Sequence, residues 1–425
     1  MQYEYSNANL LLFDKYPSHW QLIRVRNLLK EENEQVGKRT TFPLLSLTKG
    51  GVIFRDTENG KGKFPKDFES YKVVVPGNII FCLFDIDETP RTVGLSSVGG
   101  MITGAYDVFS INTSLSLPEF IYYYFLAVDD NKALRPFYSG LRKVVQMPKF
   151  LGIQTPVPPL DEQKKIVEFL STKTLSIDAQ QRERKRELRL LDELKQAEIA
   201  NVVTRGLNPD VPMKDSGIPW IGQIPAHWEI KYLFQLAKEH CISNKEIHHQ
   251  NLLSLSYGRI VRKDINTTDG LLPESFDTYQ VVEPGNIILR LTDLQNDHKS
   301  LRVGLVTEEG IITSAYVCLE INQDFDPVYF YNMLHSYDLK KVFYSMGGGL
   351  RQNLNYQGLR KLEIILPPIE EQKAIVEYIQ QKNSAIDEMI ANLRAEIDFL
   401  TEYKQRLIAD VVTGQLNVQN LNNHE

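Results

Sequence analysis

The sequence predicts an α+β protein: two similar mixed α/β globular units separated by two long helices that pair as an antiparallel coiled coil. The whole forms an internal repeat with pseudo-two-fold character. Three observations predict it. Pro158-Pro159-Leu160-Asp161-Glu162-Gln163-Lys164-Lys165-Ile166-Val167-Glu168 returns as Pro367-Pro368-Ile369-Glu370-Glu371-Gln372-Lys373-Ala374-Ile375-Val376-Glu377, an offset of 209 residues. That offset holds without a gap through Ile177-Asp178 and Ile386-Asp387, Lys195-Gln196 and Lys404-Gln405, and Val202-Val203-Thr204 and Val411-Val412-Thr413. Blocks upstream of each copy repeat as well, with small insertions between them. A period this long marks a duplicated domain, since solenoid units are far shorter.

Taken in order, the first unit opens on Pro17-Ser18-His19-Trp20, which recurs as Pro225-Ala226-His227-Trp228. Leu45-Ser46-Leu47 recurs as Leu253-Ser254-Leu255. Short β-branched runs at 71–75 and 279–283 stop at Pro-Gly turns, and Pro76-Gly77-Asn78-Ile79-Ile80 recurs as Pro284-Gly285-Asn286-Ile287-Ile288. Apolar strands resume at 78–84 and 286–291, and 106–111 and 316–321 alternate as strands do. Segments 120–128 and 328–337 read as helices, so the Tyr122-Tyr123-Tyr124 cluster is expected to pack in a core rather than to stack on bases.

Each long helix begins logically. Proline disfavours helix in the residue before it, and the acids that follow suit the positive end of the helix dipole. No proline or glycine interrupts either segment until Val202 and Val411, so each can run for roughly 40 residues, about 60 Å. In the second copy Ile386, Ile390, Leu393, Ile397, Leu400, Lys404, Leu407 and Val411 alternate steps of four and three, a coiled-coil seam. The same register in the first copy gives Ile177, Gln181, Arg184, Leu188, Leu191, Lys195, Glu198 and Val202, the more polar half. Neither helix can bury its stripe alone, so each is the other's expected partner. Antiparallel pairing would place the globular units at opposite ends of a rod.

A chain of 425 residues with 42% hydrophobic and 10% aromatic content has material for two or three cores. No run is long and apolar enough for a membrane span, and the first residues do not form a secretory signal. Cys82, Cys241 and Cys318 are too few and scattered for a disulfide framework or zinc knuckle. A cytoplasmic location is expected. The net charge of −6 means that any nucleic-acid contact must use local positive loops or a basic partner.

The sequence carries no phosphate loop, and no glycine fingerprint opens a helix after a strand. Asn208-Pro209-Asp210 lacks the residues that complete an adenine methyltransferase motif. His240-Cys241 with His248-His249 reads as a solvated loop rather than a metal cluster, and Glu162 with Lys164 and Glu371 with Lys373 as first-turn residues rather than a nuclease pair. No catalytic, metal or cofactor site is expected.

What remains are polar and basic residues in loops that differ between the copies. In the first unit these are Lys49, Arg55, Lys61, Lys63, Arg91, Arg142, Lys143 and Gln146. In the second they are Tyr257, Arg259, Arg262, Lys263, Arg290, Lys299, Arg302, Arg351, Gln352 and Asn353. Such side chains neutralise phosphates or pair with guanine and adenine edges. Arg142 and Arg351 stand at one offset in glycine-flanked loops.

This layout resembles the specificity subunit of type I restriction–modification systems. The doubled Pro-Pro-hydrophobic-acidic-Glu-Gln helix start and the Pro-Gly-Asn-Ile-Ile strand carry the resemblance. So do Ile218-Pro219-Trp220-Ile221-Gly222 with Ile224-Pro225 and His227-Trp228, which look like the usual opening of a target-recognition domain, and Arg351-Gln352-Asn353-Leu354 before the last strand. Residues 1–16 lack the Ile-Pro-Trp-Ile-Gly lead-in. The resemblance implies recognition domains at 1–155 and 208–365, a central helix at 156–207, and a C-terminal helix and tail at 366–425. It implies a non-catalytic subunit whose two domains each read half of a split double-stranded DNA target. Two methyltransferase subunits would dock on it, with motor–nuclease subunits joining for restriction; S-adenosylmethionine, ATP and Mg would belong to those partners. The competing readings are a coiled-coil scaffold whose ends bind protein, and a fused methyltransferase or nuclease, which the missing motifs disfavour.

Overall fold

The computed structural model describes residues 3–38, 42–55, 68–245, 247, 249–265, 275–297, 300–346 and 353–419. The chain packs as two compact units, Met1–Lys185 with Arg394–Glu425, and Arg186–Leu393. The two long helices, Leu160–Arg205 and Ile369–Val412, therefore each contribute one part to each unit.

Both units hold the same antiparallel four-stranded sheet. In the first its order is Leu29–Glu31, Asp107–Ile111, Ile79–Phe81, Val93–Leu95; in the second it is Ala237–Glu239, Val317–Ile321, Ile287–Leu289, Val303–Leu305. The register is the same, with Phe109 opposite Ile79 and Leu319 opposite Ile287. Helices Pro118–Asp130 and Pro327–Leu339, each opened by a proline that suits the first helical position, pack on these sheets. Hairpins Leu45–Thr48/Gly51–Phe54 and Leu253–Ser256/Arg259–Arg262 lie against Gly94 and Gly304 of the sheets' edge strands. A Cβ on either glycine would stand 2.5 Å from a leucine of the hairpin, so the close approach requires glycine there.

The repeated Pro-Gly-Asn is a turn that starts a central strand. Gly77 and Gly285 take φ 90° and 93°, and the Asn78 and Asn286 side chains accept the Val75 and Glu283 N–H groups at 2.8 and 2.9 Å. Both asparagines are buried, with their amide oxygens satisfied within the turn.

The Glu-Gln pair at each helix start is a clasp. Gln163 Oε1 accepts the Leu117 N–H and the Ser116 hydroxyl, while its amide donates to the Leu115 and Pro158 carbonyls. Gln372 likewise accepts the Asp326 N–H and donates to the Pro367 carbonyl. Each glutamine thus ties the start of a long helix to the start of the shorter helix that packs on the sheet. Glu162 bonds the Tyr3 hydroxyl and His19 Nε2, and Glu371 bonds His227 Nε2 and Trp228 Nε1. Glu162 is only 4% exposed. These glutamates hold the Pro-x-His-Trp segments, which accounts for the joint recurrence of two motifs more than 140 residues apart. Hairpin Tyr5–Asn7/Lys15–Pro17 takes the place of Met213–Asp215/Gln223–Pro225, although the residues between its strands are unlike the second copy's.

The helices pair antiparallel within each unit. In the first, Lys404 bonds Asp178 at 2.6 Å, Gln181 donates to Thr401 at 2.8 Å, and Arg184 meets Glu396 at 2.9 Å. In the second, Lys195 meets Asp387 at 2.6 Å and Tyr378 donates to Glu198 at 2.5 Å. Partner numbers fall as residue numbers rise. Ile177, Val202, Ile386, Ile390, Leu400, Leu407 and Val411 are buried; Leu188, Leu191, Leu393 and Ile397 are half-buried. The polar seam positions of the first helix find partners across the pair, so its weaker stripe leaves few groups unsatisfied.

Candidate nucleic-acid interface

In the first unit the loop between strands Ile79–Phe81 and Val93–Leu95 turns at Asp85, whose φ is 47°. Its N–H donates to the Arg142 carbonyl at 2.8 Å. The Arg142 guanidinium returns to the Asp85 carboxylate at 2.6 Å and lies over the Phe84 ring, 5.1 Å from its centroid. Arg142 is nonetheless 68% exposed on its side chain, so one face of its fork remains open. Beside it Lys143 pairs with Asp87 at 3.1 Å, and its hydrogen bond holds the Asp87 carboxyl below the ordinary range. The Phe84 ring touches Tyr106, whose hydroxyl burial pushes upward while nearby Arg55 acts against that rise. Arg55, Arg142 and Lys143 therefore gather around one loop. Exposed Gln146 weakly contacts Ser139 at 3.4 Å, and Lys49 is exposed at the tip of its hairpin.

The second unit repeats the frame with other side chains. Asp293, matched to Asp85, has φ 55°, and its N–H donates to Asn353 Oδ1 at 2.8 Å. The Leu354 N–H donates to the Leu291 carbonyl at 2.9 Å, as Val145 does to Leu83. Arg290 sits in this loop near Asp297, at 3.6 Å. The neighbouring hairpin presents Tyr257, Arg259 and Lys263 exposed, and Arg262 paired with Glu308. Its turn abuts the same loop: a Cβ on Gly258 would lie 3.2 Å from that of Leu301.

Two expected contacts are corrected. Arg302 is fully buried and cannot reach a ligand. Its guanidinium donates to the carbonyls of Arg290, Thr292 and Asp297 and to the Tyr344 hydroxyl, bracing the loop from beneath. Arg91 is spent on Asp129 and Asp130, at 3.1 and 2.7 Å, at the end of the packing helix. Lys61, Lys63, Lys299, Arg351 and Gln352 lie outside the described residues. The matched aspartates are not among the residues that the sequence pattern singles out, although Asp85 and Asp293 share an offset of 208 with the surrounding blocks. Of the histidines weighed as metal ligands, His240 bonds Glu320 and the Val281 carbonyl, and His249 bonds Glu309. Among the described residues no cluster is arranged to hold a metal ion, and no helix is long and apolar enough to cross a membrane.

The type I restriction modification DNA specificity domain matches twice, at residues 101–190 and 303–398. Each match joins part of a sheet to the first part of the long helix after it. Over 96% of its length the chain is 22% identical to the type I restriction enzyme MjaVIII specificity subunit of Methanocaldococcus jannaschii, covering 95% of that protein. Both comparisons make the chain similar to type I restriction–modification specificity subunits. A second relative, the putative MjaX specificity subunit of the same organism, is 24% identical over 63% of the chain and 60% of its own length. A solved chain from work on complex assembly and conformational transition of the type I R-M system shares the fold. Its TM-score is 0.67 at 16% identity, covering 94% of this chain and 99% of the solved chain. The exposed loop clusters around Asp85 and Asp293 are the candidate interface in each of the two units.

Proposed function

We propose that each globular unit reads one half of a split double-stranded DNA sequence, and that the paired helices set the gap between the halves. The carrying observation is the pairing of one scaffold with two unlike loop sets. The same sheet and the same Asp85/Asp293 turn display Arg142 and Lys143 in one unit, and Arg290, Asn353 and a Tyr257-tipped hairpin in the other. Two different surfaces on one frame suit two different base sequences. Arg142, steadied by Asp85, offers a fork suited to guanine, while Lys143 and Lys49 suit phosphates.

In this reading the chain itself is non-catalytic and works in the cytoplasm. Two methyltransferase subunits dock on it and bring S-adenosylmethionine; motor–nuclease subunits bring ATP and Mg chemistry for restriction. Phosphate contacts from these partners offset the chain's net charge of −6. Mapping methylated adenines in DNA from cells expressing the complex tests the proposal. A gapped two-part motif is expected, and a contiguous motif, or methyl transfer by the purified chain alone, contradicts it.

A further inference from the structure

In a two-residue hairpin turn with both φ angles positive, the first position ordinarily holds Asn, Asp or Gly, because a larger side chain crowds the backbone there. The hairpin Leu253–Ser256/Arg259–Arg262 places Tyr257 at that position, with φ 47°, ahead of Gly258 with φ 76°. The tyrosine is 83% exposed, and among the described residues it makes no hydrogen bond or ring contact. The strain is therefore not repaid by packing. The turn that carries it is held firmly. The Tyr331 hydroxyl donates to the Gly258 carbonyl at 3.1 Å, and Gly258 sits against Leu301.

The matched turn of the first unit, Lys49-Gly50, has no such residue, and its Thr48 hydroxyl closes it onto Gly51. An immobilised turn that points an unpartnered aromatic ring at solvent is a feature of the second unit among the two matched hairpins. Its surroundings indicate the ligand. Arg259 and Lys263 are exposed on the same hairpin, and a two-stranded ribbon fits a DNA groove. An aromatic ring beside cations suits a base stack beside phosphates.

We propose that Tyr257 is a stacking wedge, inserting its ring against a base step of the half-site read by the second unit, with Arg259 and Lys263 on the flanking phosphates. This rests on the reading of the loop clusters as DNA-facing. It adds a physical role that hydrogen-bond readout does not supply: recognition of a step that opens easily, such as a pyrimidine–purine step.

The test uses the full chain co-purified with the methyltransferase subunits of the same restriction system. Duplexes selected from a randomised pool by the wild-type complex are rebuilt with 2-aminopurine at successive positions. Tyr257→Gly removes the ring and relieves the backbone, so its melting temperature is expected to match or exceed that of the wild type. Its affinity for the selected duplex is expected to fall roughly five- to hundredfold, with sequence preference lost in one half only. Tyr257→Phe is expected to retain both affinity and preference. One 2-aminopurine position should brighten with wild type and Tyr257→Phe, and stay dark with Tyr257→Gly. Unchanged affinity and fluorescence for Tyr257→Gly overturn the wedge, as does a variant that loses only its methyltransferase subunits, which would make the tip a protein contact. If the wild-type complex selects no sequence, the DNA-reading proposal falls first and the wedge with it.

Discussion

Four buried positions of the first unit hold Phe81, Phe109, Phe125 and Phe150, whose rings meet edge-on or tilted at 4.9 to 6.3 Å. The matched positions of the second hold Leu289, Leu319, Leu334 and Leu359, all buried. The missing bulk returns elsewhere: Ile121, Val128 and Leu134 are matched by Phe330, Tyr337 and Phe343. Strand register and helix length are the same in both. The frame is therefore set by turns, register and the Glu-Gln clasp, while the core filling is free to move if its total volume is kept.

The loops diverge by the same logic. Asp129 and Asp338 occupy matched helix positions, and each accepts the N–H of a matched residue, Thr92 at 3.1 Å and Arg302 at 2.6 Å. Around Asp129 the remaining partners are Arg91 and Lys132. Around Asp338 the Arg302 side chain turns away into the loop, and Oδ1 finds no hydrogen-bond partner among the described residues. Burial pushes its carboxyl upward. One helix end thus neutralises its carboxylate, and the other gives up that pairing to brace the loop at residues 290–297.

Arg302→Ala should break this contrast most severely. It removes a buried guanidinium that satisfies several loop carbonyls, at a cost of about 3–5 kcal/mol. Arg91→Ala leaves Asp129 with Lys132 and the Thr92 N–H, and should cost about 1–3 kcal/mol. Chemical denaturation of both variants measures the difference.

The second unit should also be the acid-sensitive one. Burial lowers the His335 pKa to about 4, whereas the first unit has Leu126 at that position. Between pH 6.5 and 4 the unfolded chain takes up a proton that the folded one refuses, so stability falls as pH drops through that window. The full effect is about 3 kcal/mol, from a shift worth about 1.4 kcal/mol per pH unit. Asp338 works in the opposite sense, since its raised pKa costs stability as pH rises above the usual carboxylate range. Denaturation of His335→Leu from pH 7 to 4 should show a flatter profile than wild type; equal slopes would mean that the imidazole is not the source.

Arg142→Ala should weaken recognition of one half-site by about 1–3 kcal/mol while leaving the other unchanged. Equal loss on every sequence would make Arg142 a phosphate contact. The smallest effect belongs to the cores. Phe81→Leu, importing the second unit's residue alone, should cost about 1–2 kcal/mol in melting experiments, because three neighbouring rings cannot fill the gap.

These contrasts separate what local sequence can reveal from what it cannot. The Pro-Gly-Asn turns and the helix seam are legible because their physics lies within a few residues: a positive φ at Gly77, a four–three spacing from Ile386 to Val411. Arg302 was not legible. An arginine in a polar stretch reads alike whether it faces solvent or carbonyls contributed by residues 290–297. Glu162 and Glu371 were half legible. Their place in a first turn suits the dipole, but their histidine partners lie far away in sequence. The positive φ of Asp85 and Asp293 left a trace only in their shared offset.

In the proposed function two units read two halves of a DNA site across a gap set by the helices. Inserting one heptad after Arg186 and another after Ala395 tests it most directly, since these points are matched at the 209-residue offset and lie where Arg184 meets Glu396. Seven residues return the seam to the same face and lengthen each helix by about 10 Å, corresponding to roughly three base pairs. Methylated sites mapped in cells carrying the insertion should show both half-sites unchanged and the gap longer; an active variant with the original gap would contradict the account.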